Sequence, residues 1–272
     1  MISGFNVESK EHRKLGIPIE DSFAFDSKKL ILAIADGVTR DPAEVLPETK
    51  KEFAQNYPKI SPAKIVADTF TQGFLRLREY NKLGINAVFR NINSEIRRWN
   101  KVHIPKPDYV TNDLAGCVSA GVVVVGNKFH YGFICDCGVA VFDSNGKLKF
   151  RTENQGPDKY DKCFWPQIRK KFGKDAGWRM PEIRREIRMN YRNNPKNPSF
   201  GVLTGQANAM KYVRVGSGNL SERDAIVVYT DGLEGTIYSN AFSHKIAERD
   251  IRGLKRICQE NVRTEGSLVV YQ

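Results

Sequence analysis

Asp224-Ala-Ile-Val-Val-Tyr-Thr-Asp231-Gly232-Leu233 decides how this chain reads. Ala225 to Tyr229 is an unbroken apolar run, the pattern of a strand covered on both faces. It passes through Thr230 directly into Asp231-Gly232. A second stretch has the same form: Ile31-Leu-Ala-Ile-Ala runs into Asp36-Gly37-Val38. Buried strands hold their tips rigidly, so both carboxylates are fixed in space. Taken singly, Asp-Gly after a strand is a turn signal. Glu20-Asp21, just before the first of these strands, reads alone as a solvated strand start. Asp136 closes the apolar run Phe129 to Cys135, and a carboxylate buried there needs a cation or hydrogen-bond donors. Together, four acidic sites at the edges of core strands, in a chain with no triad serine motif, point to a metal centre. Carboxylate clusters without His or Cys select Mg²⁺ or Mn²⁺ over zinc. Two such ions about 4 Å apart can share a bridging water and activate it. Gly37 leaves its own carbonyl uncrowded, so that oxygen can join a coordination shell.

Working outward, 272 residues with 40% hydrophobic content fit one large domain, or at most two small ones, with a real core. No apolar run approaches the roughly 20 residues that span a bilayer. Met1-Ile-Ser-Gly-Phe-Asn has neither a basic start nor an apolar signal region, so a cytoplasmic protein is expected. The five cysteines are odd in number and scattered, unlike a disulfide framework. Cys135-Asp-Cys137 lacks a second pair to close a zinc site. His12, His103, His130 and His244 show no ligand spacing. Net charge is +12, with 43 basic against 31 acidic residues. Between Pro157 and Pro198 stand 12 Lys/Arg and 5 Asp/Glu, so +7 of the excess lies there. Such an excess suits nucleic acid, a membrane surface or an anionic substrate.

Strands are expected at Ser22–Asp26 and Leu30–Ala35. Ser61-Pro62 opens a helix with a capping serine and a proline at its first position. Ile85, Val88, Ile92, Ile96 and Trp99 mark one face of a second helix. Hairpins follow: Val118–Val125 with Lys128–Cys135 about Gly126-Asn127, and Gly138–Phe142 with Lys147–Arg151 about an Asp-x-x-Gly turn. A helix over Pro181–Tyr191, strands near Phe200–Leu203, Lys211–Val215 and Ala225–Thr230, a helix over Glu248–Gln259 and a strand at Ser267–Tyr271 complete the reading. Strands in hairpin runs with helices between them argue for antiparallel sheets covered by helices, an α+β fold. Neither a dinucleotide-binding nor a P-loop glycine pattern is present.

These residues resemble the metal-dependent serine/threonine protein phosphatases of the type 2C family, over about Gly4 to Tyr271. Glu20-Asp21-Ser-Phe looks like the family's ED motif, and Ile31 to Val38 like its strand ending in DG. Gly116-Cys-Val-Ser-Ala120 stands where the family has GSTA, and Phe133-Ile-Cys-Asp136 looks like VGD. Asp224 to Leu233 closely matches its SDGL strand. The resemblance implies a four-layer α-β-β-α sandwich of two antiparallel sheets flanked by helices, as a single domain over 1–272. Residues 157–198 would then form a basic, flap-like insertion. It implies two Mg²⁺ or Mn²⁺ ions bridged by Asp36. Glu20 and the Gly37 carbonyl would hold one ion and Asp231 the other, with Asp21 behind them orienting water. Asp136 with Asp231 would match the place of a third, weaker ion. The implied reaction is direct hydrolysis of phosphoserine and phosphothreonine on protein substrates.

The chain departs from the family pattern at three places. Its last metal aspartate is matched by Glu265, one methylene longer. Val38-Thr39-Arg40 follows Asp36-Gly37 in place of Gly-Gly or a histidine. The position of the phosphate-binding arginine is Gly16, leaving Arg13, Lys14 or Arg40 to clamp a phosphate. A catalytically weakened relative that binds a phosphorylated partner is the second reading. A nucleic-acid-binding protein using the basic stretch is the third, although no nucleic-acid motif accompanies it. The substrate protein and the oligomeric state are not legible.

Overall fold

The computed structural model describes residues 1–38, 58–110, 112–177 and 180–272. Among the described residues, ten strands form two five-stranded antiparallel sheets. In the first, β1 (Ile2–Glu8), β10 (Glu265–Tyr271), β9 (Ala225–Tyr229), β6 (Gly138–Phe142) and β7 (Leu148–Arg151) lie side by side in that order. The second runs β2 (Ser22–Asp26), β3 (Ile31–Val38), β4 (Gly116–Val125), β5 (Lys128–Ile134) and β8 (Arg214–Asn219).

Strand periodicity sorts the apolar residues into three cores. Leu32, Ile34, Val139, Val141, Ile226, Val228 and Val269 fill the space between the sheets. Ile31, Ala33 and Ala35 point the other way, onto α2 (Pro62–Phe74) and α3 (Lys82–His103). Phe5, Val7, Val227, Leu268 and Val270 lie on the outer face of the first sheet, under α7 (Asn240–Glu248) and α8 (Ile251–Asn261). The result is an α-β-β-α sandwich. Both long helices start as their sequences dictate. Ser61 accepts from the Lys64 N–H with Pro62 at the first position, and Asn81 accepts from the Gly84 N–H. Three shorter helices, α1 (Lys10–Leu15), α4 (Asp161–Phe172) and α5 (Pro181–Asn190), precede α6 (Glu234–Ile237) in the chain.

The basic stretch is built into the body of the protein. Its helices α4 and α5 bury Phe164, Ile168, Ile183 and Ile187 in the same cluster that fills the space between the sheets. Arg192, 3% exposed, makes two 2.7 Å hydrogen bonds to the Asp113 carboxylate in the α3–β4 connection. Arg188 adds an ion pair to the same carboxylate. A bidentate pair of this kind fixes orientation as well as position.

Two expectations about strands fail. Phe200–Leu203 makes only isolated bridges, Arg192 with Phe200 and Cys117 with Leu203. Its residues are apolar because they are buried, without a neighbouring strand to extend the ladder. The strand expected from Lys211 begins at Arg214 and continues to Asn219, after a 3₁₀ turn over Ala207–Lys211. The segment after Val38, including Arg40, lies outside the described residues. No helix among the described residues is long and apolar enough to cross a membrane.

Candidate metal centre

At one end of the sandwich the face between the sheets turns from apolar to acidic. Asp36 follows Leu32 and Ile34 by strand period, so β3 aims its carboxylate between the sheets. Glu265 lies two and four residues before Ser267 and the inward Val269 on β10. Asp21 precedes the inward-packed Phe23 by two residues. One carboxylate oxygen from each of Asp21, Asp36 and Glu265 lies within 4.8 Å of the others. Asp36 is also within hydrogen-bond reach of both Asp21 and Asp231. Asp231 opens a 3₁₀ turn directly after β9. That turn presses so closely on β10 that a Cβ at Gly232 would stand 2.0 Å from the Glu265 carbonyl oxygen. Only glycine fits, which explains the residue after Asp231.

Asp136 reaches the same place by a strained route. The preceding Cys135 takes φ 70°, left-handed backbone that a non-glycine residue adopts at a cost of about 1–3 kcal/mol. Its Oδ1 is buried and makes no hydrogen bond.

The electrostatics agree. Burial first, then the charges of Asp21, Asp231, Asp136 and Glu265, hold Asp36 protonated far above the usual carboxylate range. Burial, opposed by the Thr230 hydrogen bond and joined by the charge of Asp231, raises Asp21 to about 7. Burial and Asp231 raise Asp136 to about 7. Burial and Asp21 push Glu265 to about 9. Burial also raises Asp231. None of the five is paired with a lysine or arginine side chain among the described residues. An all-oxygen donor set, crowded like charges and an orphaned Asp136 oxygen fit hard divalent cations.

Polar neighbours lock the cluster. Thr230 Oγ1 donates to Asp21 Oδ2 at 2.7 Å and accepts from the Ser267 N–H at 2.8 Å. Ser267 Oγ donates to Asn6 Oδ1 at 2.6 Å. The Glu20 N–H donates to Glu265 Oε2 at 2.8 Å. Lys64 on α2 donates to the Asp21 carbonyl and pairs with Asp68, both at 2.9 Å.

No protein-family model and no curated protein sequence matches this chain. Solved structures do. The Mycobacterium tuberculosis serine/threonine phosphatase PstP is 15% identical with a TM-score of 0.62, the match covering 99% of this chain and 97% of that one. The PstP catalytic domain in complex with two manganese ions is 14% identical with a TM-score of 0.58, covering 99% and 96%. The S. agalactiae serine/threonine phosphatase is 13% identical with a TM-score of 0.62, covering 100% and 98%. The chain has the fold of the bacterial serine/threonine phosphatases. The resemblance drawn from its motifs thus has a counterpart in three dimensions across the whole chain.

Within this phosphatase fold, the expected residues divide. Asp21, Asp36, Asp136, Asp231 and Glu265 come together. Of the Glu20-Asp21 pair, it is Asp21 whose carboxylate joins Asp36 and Glu265. Glu20 is buried beside them, contributes its N–H to Glu265 and raises the Glu265 pKa by its charge. Gly37 sits in the β3–β4 ladder opposite Cys117. Arg13 donates to Glu8 at 2.8 Å on an exposed helix. Sequence reasoning missed the Thr230–Ser267–Asn6 relay. Thr230 carried a signal, since it follows Val228 by two and so must face inward at the strand end.

Proposed function

We propose that this chain is a divalent-metal-dependent phosphatase of the type 2C kind, acting on phosphoserine and phosphothreonine in proteins. On this reading residues 1–272 form a single domain of that kind, with 157–198 as its insertion. The observation that carries it is the convergence on Asp36: oxygens of buried Asp21 and partly buried Glu265 lie within 4.8 Å of its own, Asp231 is within hydrogen-bond reach, and none of these carboxylates has a lysine or arginine partner among the described residues. The shared fold adds support, because one PstP structure carries two manganese ions.

Asp36 would be common to both ions. Asp21 and Glu265, with Glu20 behind them, would serve one side, and Asp231 with Asp136 the other. When bound, such ions supply Lewis-acid activation of water and neutralise phosphoryl oxygens. The chain's own residues hold that constellation still. Thr230 fixes the Asp21 carboxylate, and the Glu20 N–H fixes Glu265. Lys64 ties the Asp21 backbone to α2. Glu265 reaches the cluster despite its extra methylene, which favours catalysis over a binding-only role. The basic stretch spends Arg192 and Arg188 on internal contacts, which weakens the nucleic-acid reading.

Hydrolysis of p-nitrophenyl phosphate and of a phosphothreonine peptide, with and without Mn²⁺, tests the proposal. Turnover is expected only with metal, and Asp231→Asn should lower it by at least about a hundredfold. Absence of turnover with Mn²⁺ and Mg²⁺ alike would reject it.

A further inference from the structure

We infer that Arg263 is the cation that receives the substrate's phosphoryl group; the inference rests on the phosphatase reading of the same site. A cleft of about 820 Å³ opens from Asp136, Asp231 and Gly232 and runs past Thr264 and Arg263. Five carboxylates outweigh two dications by one negative charge, and the charge of Glu20 beside them adds another. A phosphate ester arriving there brings more negative charge, so a further cation is needed where the ester enters.

Among the described residues, two of the other candidate cations are engaged, and Arg40 lies outside the described residues. Gly16 stands where the family resemblance expects an arginine. Arg13 is paired with Glu8. Lys64 is held by Asp68 and by the Asp21 carbonyl. Among the described residues lining the cleft, Arg263 is the one lysine or arginine. Its guanidinium has no ion pair or hydrogen bond within the described residues.

The backbone around it is pinned. Buried Val262 closes α8 through its N–H to the Cys258 carbonyl at 3.0 Å. The neighbouring Thr264 carbonyl accepts from the Ser9 N–H at 2.6 Å. Glu265, two residues on, lies in the acidic cluster. Arg263 is therefore an exposed, unengaged fork on a fixed stem at the mouth of the centre. Fork geometry suits a phosphoryl group's two outward oxygens.

Arg263→Ala and Arg263→Lys test this. Because the side chain is exposed, neither change should unfold the protein. In the Mn²⁺-loaded enzyme, Arg263→Ala should raise KM for p-nitrophenyl phosphate about tenfold or more and weaken inhibition by inorganic phosphate equally. Arg263→Lys should recover part of both losses, and the Mn²⁺-induced rise in Tm should be unchanged in both variants. Unaltered KM and phosphate inhibition in Arg263→Ala would overturn the assignment. Calorimetric binding of inorganic phosphate to the Mn²⁺-loaded proteins separates this from the hydrolase reading. Phosphate binding that needs Arg263 but comes without turnover would sink catalysis and support the assignment. Equal phosphate affinity with and without Arg263, or none in either protein, would sink the assignment.

Discussion

Asp36→Asn should abolish metal-dependent hydrolysis while making the metal-free protein more stable. The two effects share one cause. In the absence of metal, Asp36 is kept protonated by burial and by four neighbouring carboxylates. Asparagine mimics that protonated form without requiring a proton, and it keeps a donor for Asp21 or Asp231. The metal-free variant should therefore melt a few degrees higher, about 2–6 °C for about 1–3 kcal/mol of relieved strain in a chain of this size. With Mn²⁺ the order reverses. Asparagine offers no negative charge to share between two ions, so hydrolysis should fall about a thousandfold or more. The Mn²⁺-induced rise in Tm should shrink with it. Calorimetry with and without Mn²⁺, beside the p-nitrophenyl phosphate assay, reads both effects. A destabilised variant that keeps its Mn²⁺ response would contradict the account.

The second large effect is the pH dependence of stability. Asp21 and Asp136 titrate near 7 and Glu265 near 9 in the folded, metal-free protein. Unfolded, the same groups titrate near 4. Their folded values are raised, so the native state binds more protons than the unfolded state between these limits. Stability from these groups is fully present below about pH 4 and is lost as pH rises through 7 and on toward 9. One unit of net shift corresponds to about 1.4 kcal/mol, and several groups contribute. The metal-free Tm should fall by many degrees between pH 5 and pH 9. Divalent cations compete with protons for the same oxygens, so the Mn²⁺-induced rise in Tm should be small at pH 5 and largest at pH 8–9. Thermal melts at matched ionic strength measure this. Asp36→Asn, carrying one charge fewer, should show a shallower slope. A metal-free Tm that climbs from pH 5 to 9, or a metal effect independent of pH, would refute the electrostatic description.

Much of the fold was legible because its signals are local. Ile31–Ala35 and Ala225–Tyr229 are apolar on both faces and read as covered strands, which they are. The stripe from Ile85 to Ile96 read as a helix and packs as one. What was not legible depends on long-range contacts. Strand β1 carries Gly4 and Asn6 on its inner face beside Ile2, while Phe5 and Val7 serve the outer core, so its apolar pattern is thin on both faces. Strand β8, Arg214-Val-Gly-Ser-Gly-Asn219, is poor in strand formers and exists because β5 pairs with it. Helix α4 contains Pro166, which reads as a helix breaker, and is crowded with charge, so its two buried residues, Phe164 and Ile168, gave too short a stripe. At the site, the strand-end aspartates and their meeting were readable from their shared pattern, whereas the division of work within the Glu20-Asp21 pair was not read. Inward alternation from Phe23 back to Asp21 distinguishes that residue from Glu20, a local signal available in the sequence. The Thr230–Ser267–Asn6 relay joins three distant segments, so beyond the inward position of Thr230 its pairing has no local signature.

The most direct test of the central claim is a crystal soaked in Mn²⁺ and measured for anomalous scattering. Two peaks flanking the Asp36 carboxylate are expected, one toward Asp21 and Glu265 and the other toward Asp231. No peak at Asp36, or manganese bound only at a remote acidic surface, would contradict the claim.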